Sequence, residues 1–323
     1  MNFFRKALIL TAAAMIAAAS LSSCAESHVN GDGKLSIVCT NFSEYDWTKN
    51  IIGSADCADI TYLLGSGVDI HNYQPSTQDM LTISNCDVFI YSGGESETWV
   101  DDVMKNTRNN GIKILRLFDV LGQNLKEEET KEGMEHDEDD KHDDDIEYDE
   151  HIWLSVKNAK FLCGSICNIL CEADPSNAAA YRSNLDKYEK ELEKLDEEYT
   201  KMADTSAERT IIVGDRFPFR YLVDDYNIDY YAAFAGCSAE TNASFETIAT
   251  LAGKLDELKL RTVFILENSD DSIARSIIDN SKSQNANIEK LNSLQSVNKK
   301  NVDSGVTYLS LMEENLETLK KVL

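Results

Sequence analysis

Positive charge is what this chain has least of: 31 Lys and Arg stand against 57 Asp and Glu, for a net charge of −26. Nucleic acids and anionic lipid surfaces are held by basic patches, so the imbalance argues against both as partners and suits a cation as ligand. Histidine is scarce, with five residues in 323. Long apolar runs are scarcer still. The clearest one, Ala7 to Ala19, is shorter than the ~20 residues that a membrane span takes. No GxxxxGK[ST] phosphate loop occurs, nor an HExxH pair, a GxSxG nucleophile turn or a CxxC pair. Their absence removes P-loop nucleotide hydrolysis and argues against the common hydrolase frameworks and thiolate-pair metal sites.

What is present begins with an export signal. Arg5 and Lys6 precede the apolar run, and Leu21, Ser22, Ser23 and Cys24 follow it, the form of a lipobox cleaved before its cysteine. Cys24 is therefore expected to be the lipidated first residue of the mature chain, anchored to the membrane at the cell surface or in the periplasm. Residues 25–34 form a polar tether that takes His28 with it. Seven further cysteines, Cys39, Cys57, Cys86, Cys163, Cys167, Cys171 and Cys237, make an odd number that cannot all pair within the chain. Cys163, Cys167 and Cys171 recur at helical spacing among apolar neighbours and read as small buried hydrophobes.

From residue 35 onward, short β-branched runs alternate with amphipathic stretches: LSIVCT, ITYLLG, DVFIYSGG and IKILRLF, then, after residue 207, TIIVGD, DYYAAFAG, TVFILEN and a weaker NIEKLN. This alternation predicts two Rossmann-like α/β lobes with parallel sheets, over residues 35–173 and 207–323. Residues 174–206 lie between them as one long linking helix, with Asp174 as N-cap and Pro175 at its first position. Apolar residues at Tyr181, Leu185, Tyr188, Leu192, Leu195, Tyr199 and Met202 form its stripe. A coiled-coil dimer would use such a stripe, but two flanking lobes give it a core to brace, which leaves the chain a monomer. Residues 126–150 hold fifteen acids against three lysines and are expected to be a disordered loop, with His136 and His142 collecting metal weakly.

Neutral imidazole is a preferred ligand of zinc, and His71 and His151 each sit in a short polar segment, DIHNYQPS and DEHIWLS. In open parallel sheets the ligand site lies beyond the carboxyl ends of the strands. That rule adds Asp215 at the end of TIIVGD and Glu267 at the end of TVFILE, with Glu240 on the loop after DYYAAFAG as a substitute for either acid. Glu95 and Glu97 qualify too, but beside Trp99 they read more simply as acids of a first helical turn. Asp69 suits either an acceptor orienting His71 or a turn former.

The lipobox, DIHNYQPS, the acidic insertion bearing histidines, DEHIWLSVKNA, the linking helix and the ending YLSLMEENLETLKKVL together resemble the solute-binding lipoproteins of zinc and manganese ABC transporters. The resemblance spans nearly the whole mature chain. It implies a metal cleft between the lobes, His71 and His151 as ligands from the first lobe, and zinc, with manganese second, as cargo delivered to an ABC permease driven by its ATPase. It implies no enzymatic activity. The family's remaining two ligand positions fall on Arg216, in DRFPFRYL, and Asn292, in KLNSLQS. Arginine stays protonated and cannot ligate a cation. Two rival readings remain: a surface metallohydrolase, since two histidines and an acid also make a catalytic zinc shell, and a surface adhesin holding a structural metal.

Overall fold

The computed structural model describes residues 33–107, 109, 111–135, 147–238 and 242–323. Its first lobe runs through β1 (Leu35–Cys39), α1 (Phe42–Ile52), β2 (Ala58–Tyr62), α2 (Thr77–Ser84), β3 (Val88–Tyr91), α3 (Trp99–Asn106), β4 (Lys113–Arg116), α4 (Leu117–Leu121) and α5 (Val156–Ala173). The long helix α6 (Ala178–Thr205) follows. The second lobe contains β5 (Thr210–Arg216), α7 (Arg220–Asp225), β6 (Asp229–Phe234), α8 (Phe245–Glu257), β7 (Thr262–Leu266), α9 (Ser272–Asn280) and β8 (Asn287–Leu291), and then α10 (Lys299–Asp303) and α11 (Tyr308–Val322).

Each lobe holds one four-stranded parallel sheet, ordered β2-β1-β3-β4 in the first and β6-β5-β7-β8 in the second. The two α/β lobes expected from the alternation are therefore present. Central β3 and β7 are buried at every residue, whereas edge strands β2 and β4 alternate between the core and more open faces. In both sheets the chain winds one way from the first strand and the other way from the third, so a crevice opens where the order reverses. The loops beyond those strand ends carry the residues of interest.

Helix α6 starts three residues later than Pro175. Asp174 accepts hydrogen bonds from the Asn177 N–H, Ser176 Oγ, Asn177 Nδ2 and Tyr181 Oη, which ties residues 174–177 into a turn. Tyr181, Tyr188, Leu192, Leu195, Tyr199 and Met202 are buried along one face, and α6 packs on α1, α5 and α11. Helix α11 follows the second sheet but also lies against α1 and α6 of the other side. It is fixed at its start by Tyr308: the N–H donates to Asp46 Oδ2 (3.0 Å), the hydroxyl donates to Trp153 O (2.8 Å), and the ring meets Trp47 edge-on at 5.2 Å. Cys163, Cys167 and Cys171 are buried in this core.

Burial pushes the Asp46 carboxyl up to about 6 from its usual 3.8, with the Tyr308 N–H, Lys49 and Asn50 pulling it down. A carboxyl whose folded pKa exceeds its unfolded value binds protons on folding. Its contribution is therefore full below 3.8 and is lost as pH rises through about 6. In metal-free protein, Asp46→Asn should remove this slope. The stability gap between parent and variant is expected to move by on the order of 3 kcal/mol across the window, read by urea unfolding at each pH. A gap that stays constant would refute the assignment.

Candidate metal centre

Beyond β2, the chain turns into a short 3₁₀ segment, Ile70–Asn72, whose N-cap Asp69 accepts from the His71 N–H (3.1 Å). On the ring, Nδ1 faces Ser96 Oγ at 2.8 Å, and Glu150 Oε2 lies 3.8 Å away. Glu150 Oε1 accepts from the Ser96 N–H (2.8 Å), so serine and glutamate hold one side of the imidazole together. That leaves Nε2 pointing outward from its own loop.

His151 caps a second 3₁₀ segment, Ile152–Leu154, and is fully buried. Asp149 Oδ1 accepts from its backbone N–H at 2.8 Å and contacts its Nδ1 at 3.1 Å. A carboxylate on Nδ1 fixes the ring and directs Nε2 toward a metal, the usual arrangement around zinc. Trp153 backs the ring edge-on at 5.3 Å and donates its indole N–H to Ser293 O (2.9 Å) in the second lobe.

The two Nε2 atoms lie 3.2 Å apart. Two nitrogens bound to one tetrahedral zinc at ~2.0–2.1 Å would be separated by ~3.3 Å, so the pair already has the spacing of a shared ion. With its amide turned end for end, Gln295 would set its nitrogen 2.9 and 3.1 Å from the Asp69 oxygens and its carbonyl oxygen 2.5 Å from His151 Nε2. Ion and proton thus compete for the same atom. Burial, His151 and Arg216 hold the His71 pKa down at about 3 against the pull of Asp69, which keeps its Nε2 free to ligate. Burial also disfavours charge on His151, but Asp149, Glu150 and Glu128 outweigh it and raise the pKa.

In the second lobe, both expected acids make hydrogen bonds within their own lobe. Asp215 lines the cleft, yet its Oδ1 accepts from the Arg216 N–H (2.8 Å) and its Oδ2 from the Leu266 N–H (3.2 Å), joining the ends of β5 and β7. Glu267 accepts from the Ser293 N–H, Ser293 Oγ and Ser296 Oγ, and so folds the loop after β8. Neither belongs to the group of His, Cys, Asp and Glu side chains that converge among the described residues. That group is His71, His151 and Cys237, with ligand atoms all within 4.8 Å of one another. Glu240, His28, His136, His142 and Cys24 lie outside the described residues. Cys237 follows β6 by the same strand-end rule that pointed to Glu240, so the signal that finds it was available. Burial, Glu128 and Asp149 push its thiol well above the ordinary range.

Arg216 reaches across the cleft to Asp69 (2.6 Å), where Asp69 also holds the His71 N–H. The pair is about four-fifths buried and spans the two lobes. Arg216→Ala is expected to lower stability by about 1–2 kcal/mol, between the values for exposed and fully buried pairs, and to leave zinc affinity within ~10-fold of the parent. Abolished zinc binding in this variant would show that what the site captures is an anion or a metal chelate held by the guanidinium, not the bare cation.

The cleft beside these groups has a volume of about 670 Å³ and is lined by His71, Cys237, Asp215, Arg216, Asp270 and Glu150 among others. Residues 37–322 match the profile of the family described as zinc-uptake complex component A, periplasmic (ZnuA). The chain is 26% identical over 298 residues to the zinc-binding protein AdcA of Streptococcus pyogenes serotype M3, covering 90% of this chain and 56% of AdcA, so it spans little more than half of that relative. It is 27% identical over 312 residues to the high-affinity zinc uptake system protein ZnuA of Bacillus subtilis, covering 96% of this chain and 94% of the relative. The crystal structure of the Zn(II)-bound ZnuA-like domain of Streptococcus pneumoniae AdcA superposes with a TM-score of 0.71 at 26% identity, over 90% of this chain and 99% of that domain.

Proposed function

Because the chain belongs to the family of the periplasmic component A of zinc-uptake complexes, we propose that it captures a zinc ion between its lobes and delivers it to an ABC-type permease. The observation that carries this reading is the facing pair of His71 and His151 Nε2 atoms, 3.2 Å apart and each braced from behind. Asp149, Glu150 and Glu128 surround the pair with negative charge, which draws a hydrated cation inward. The ion exchanges water for the two imidazole nitrogens, and closure by the second lobe seals it.

Both histidines ride on the first lobe, so retreat of the second lobe uncovers the ion without moving its main ligands. Hand-over to the permease, powered by the partner ATPase, uses that asymmetry. Lipidation at Cys24 would keep the carrier beside its permease on the outer face of the membrane. Zinc ranks before manganese as cargo because imidazole suits zinc, and the harder ion wants carboxylate oxygen. Asp215 and Glu267, which would supply such oxygen, are engaged within their own lobe.

Metal analysis of protein purified without added metal, followed by competition of zinc against manganese, tests the proposal. One zinc per chain that excess manganese fails to displace is the expected result. Protein that binds neither ion tightly would overturn it.

A further inference from the structure

We propose that Cys237 is the second lobe's ligand to the captured ion, so that the site is two imidazoles and one thiolate and selects zinc against manganese through its sulfur. This deepens the carrier reading and rests on it. The second lobe needs a donor, because Arg216 and Asn292 occupy the positions where the family resemblance expects ligands. Arginine cannot serve. Asn292 accepts from the Leu294 N–H (2.8 Å) through its amide oxygen, and the acids Asp215 and Glu267 accept hydrogen bonds within their own lobe and stand outside the converging group. Cys237 is the residue from that lobe whose ligand atom meets both histidines in the converging group.

Its environment is unlike that of the other described cysteines. Cys39, Cys57, Cys86, Cys163, Cys167 and Cys171 lie within or against the apolar clusters, and Cys237 does not. Instead its backbone N–H donates to Glu128 Oε1 (2.9 Å), which pins the residue from the first lobe. The residue before it is pressed onto the site. A side chain at Gly236 would place its Cβ 2.9 Å from Phe217 O, 3.1 Å from Asp149 Oδ2 and 3.2 Å from His151 Cε1. Glycine there lets the loop lie flat against the histidine and its carboxylate partner, which carries the neighbouring sulfur to the nitrogens.

When the ion enters, the Cys237 S–H loses its proton to solvent as the sulfur–metal bond forms, and nothing is oxidised or reduced. His71 and Cys237 also line the cleft, so a water there would be within reach as a fourth ligand. Thiolate is a soft donor that favours zinc over manganese, so the residue determines specificity as well as affinity.

Zinc-edge X-ray absorption on the full chain loaded with one equivalent of zinc tests the assignment directly. One sulfur at ~2.3 Å beside nitrogen or oxygen neighbours is expected. In Cys237→Ser that sulfur should vanish, zinc affinity should fall by at least ~10-fold, and the preference for zinc over manganese should narrow by a similar factor. Cobalt-loaded protein should show a near-ultraviolet sulfur-to-cobalt charge-transfer band that the variant lacks. Tight zinc binding with only nitrogen and oxygen neighbours in the parent would overturn the cysteine assignment and leave the carrier reading standing. Failure of the parent to bind zinc at all would overturn both. Because the parent spectrum decides, a variant that fails to fold does not rescue the proposal.

Discussion

Replacing His71 or His151 with alanine is expected to weaken zinc binding by more than ~100-fold, beyond the ~10–100-fold that follows from losing a group that merely supports a ligand. Each imidazole presents an Nε2 to the same point, and each is oriented from behind, by Ser96 and Glu150 for one and by Asp149 for the other. Removing one ring leaves the other facing a gap. Competition with a chromophoric chelator measures the loss, and circular dichroism reports whether the fold survives. Parental affinity in both variants would show that the ion binds elsewhere.

The second large effect belongs to Asp149. It is nearly fully buried and accepts from both the His151 backbone N–H and its ring, so Asp149→Ala frees the imidazole to rotate and strips it of its carboxylate. Zinc affinity is expected to fall by ~10–100-fold, and Asp149→Asn, which keeps an acceptor oxygen, should recover part of it. Zinc stoichiometry should stay unchanged in both, because the ligands themselves remain. Equal affinity in parent and Asp149→Ala would mean that packing against Trp153 alone positions the ring.

The two lobes could be read in the chain because each strand is a short β-branched run and each helix between them keeps its period. The two first-lobe histidines could be read because histidine is so rare here that its placement carries information. The second lobe's contribution was harder to read. Asp215 and Glu267 sit at strand ends, as the rule for parallel sheets requires, but that rule says nothing of the amides that claim their oxygens. Those bonds join β5 to β7 and Glu267 to the loop after β8, across 51 and 26 residues. Cys237 was hidden for the opposite reason. The strand-end rule reaches Cys237 after β6 as readily as Glu240, but an acid on that loop drew the reading before the fold pressed Gly236 onto His151.

The N-terminus of α6 shows the same limit on a smaller scale. Pro175 after Asp174 favours a helix start, and the actual start at Ala178 depends on Tyr181 Oη and Asn177 Nδ2 both turning back to Asp174. The position of α11 is likewise invisible in its own amphipathic pattern, which specifies an apolar face but not that Asp46 and Trp153 will receive Tyr308.

Anomalous diffraction from crystals of the zinc-loaded protein, collected on both sides of the zinc absorption edge, decides whether the two imidazoles share the ion. A single strong peak is expected in the cleft, within ~2.0–2.1 Å of both His71 Nε2 and His151 Nε2. A peak bound elsewhere, with the two imidazoles still facing each other across an ion-free gap, would contradict it.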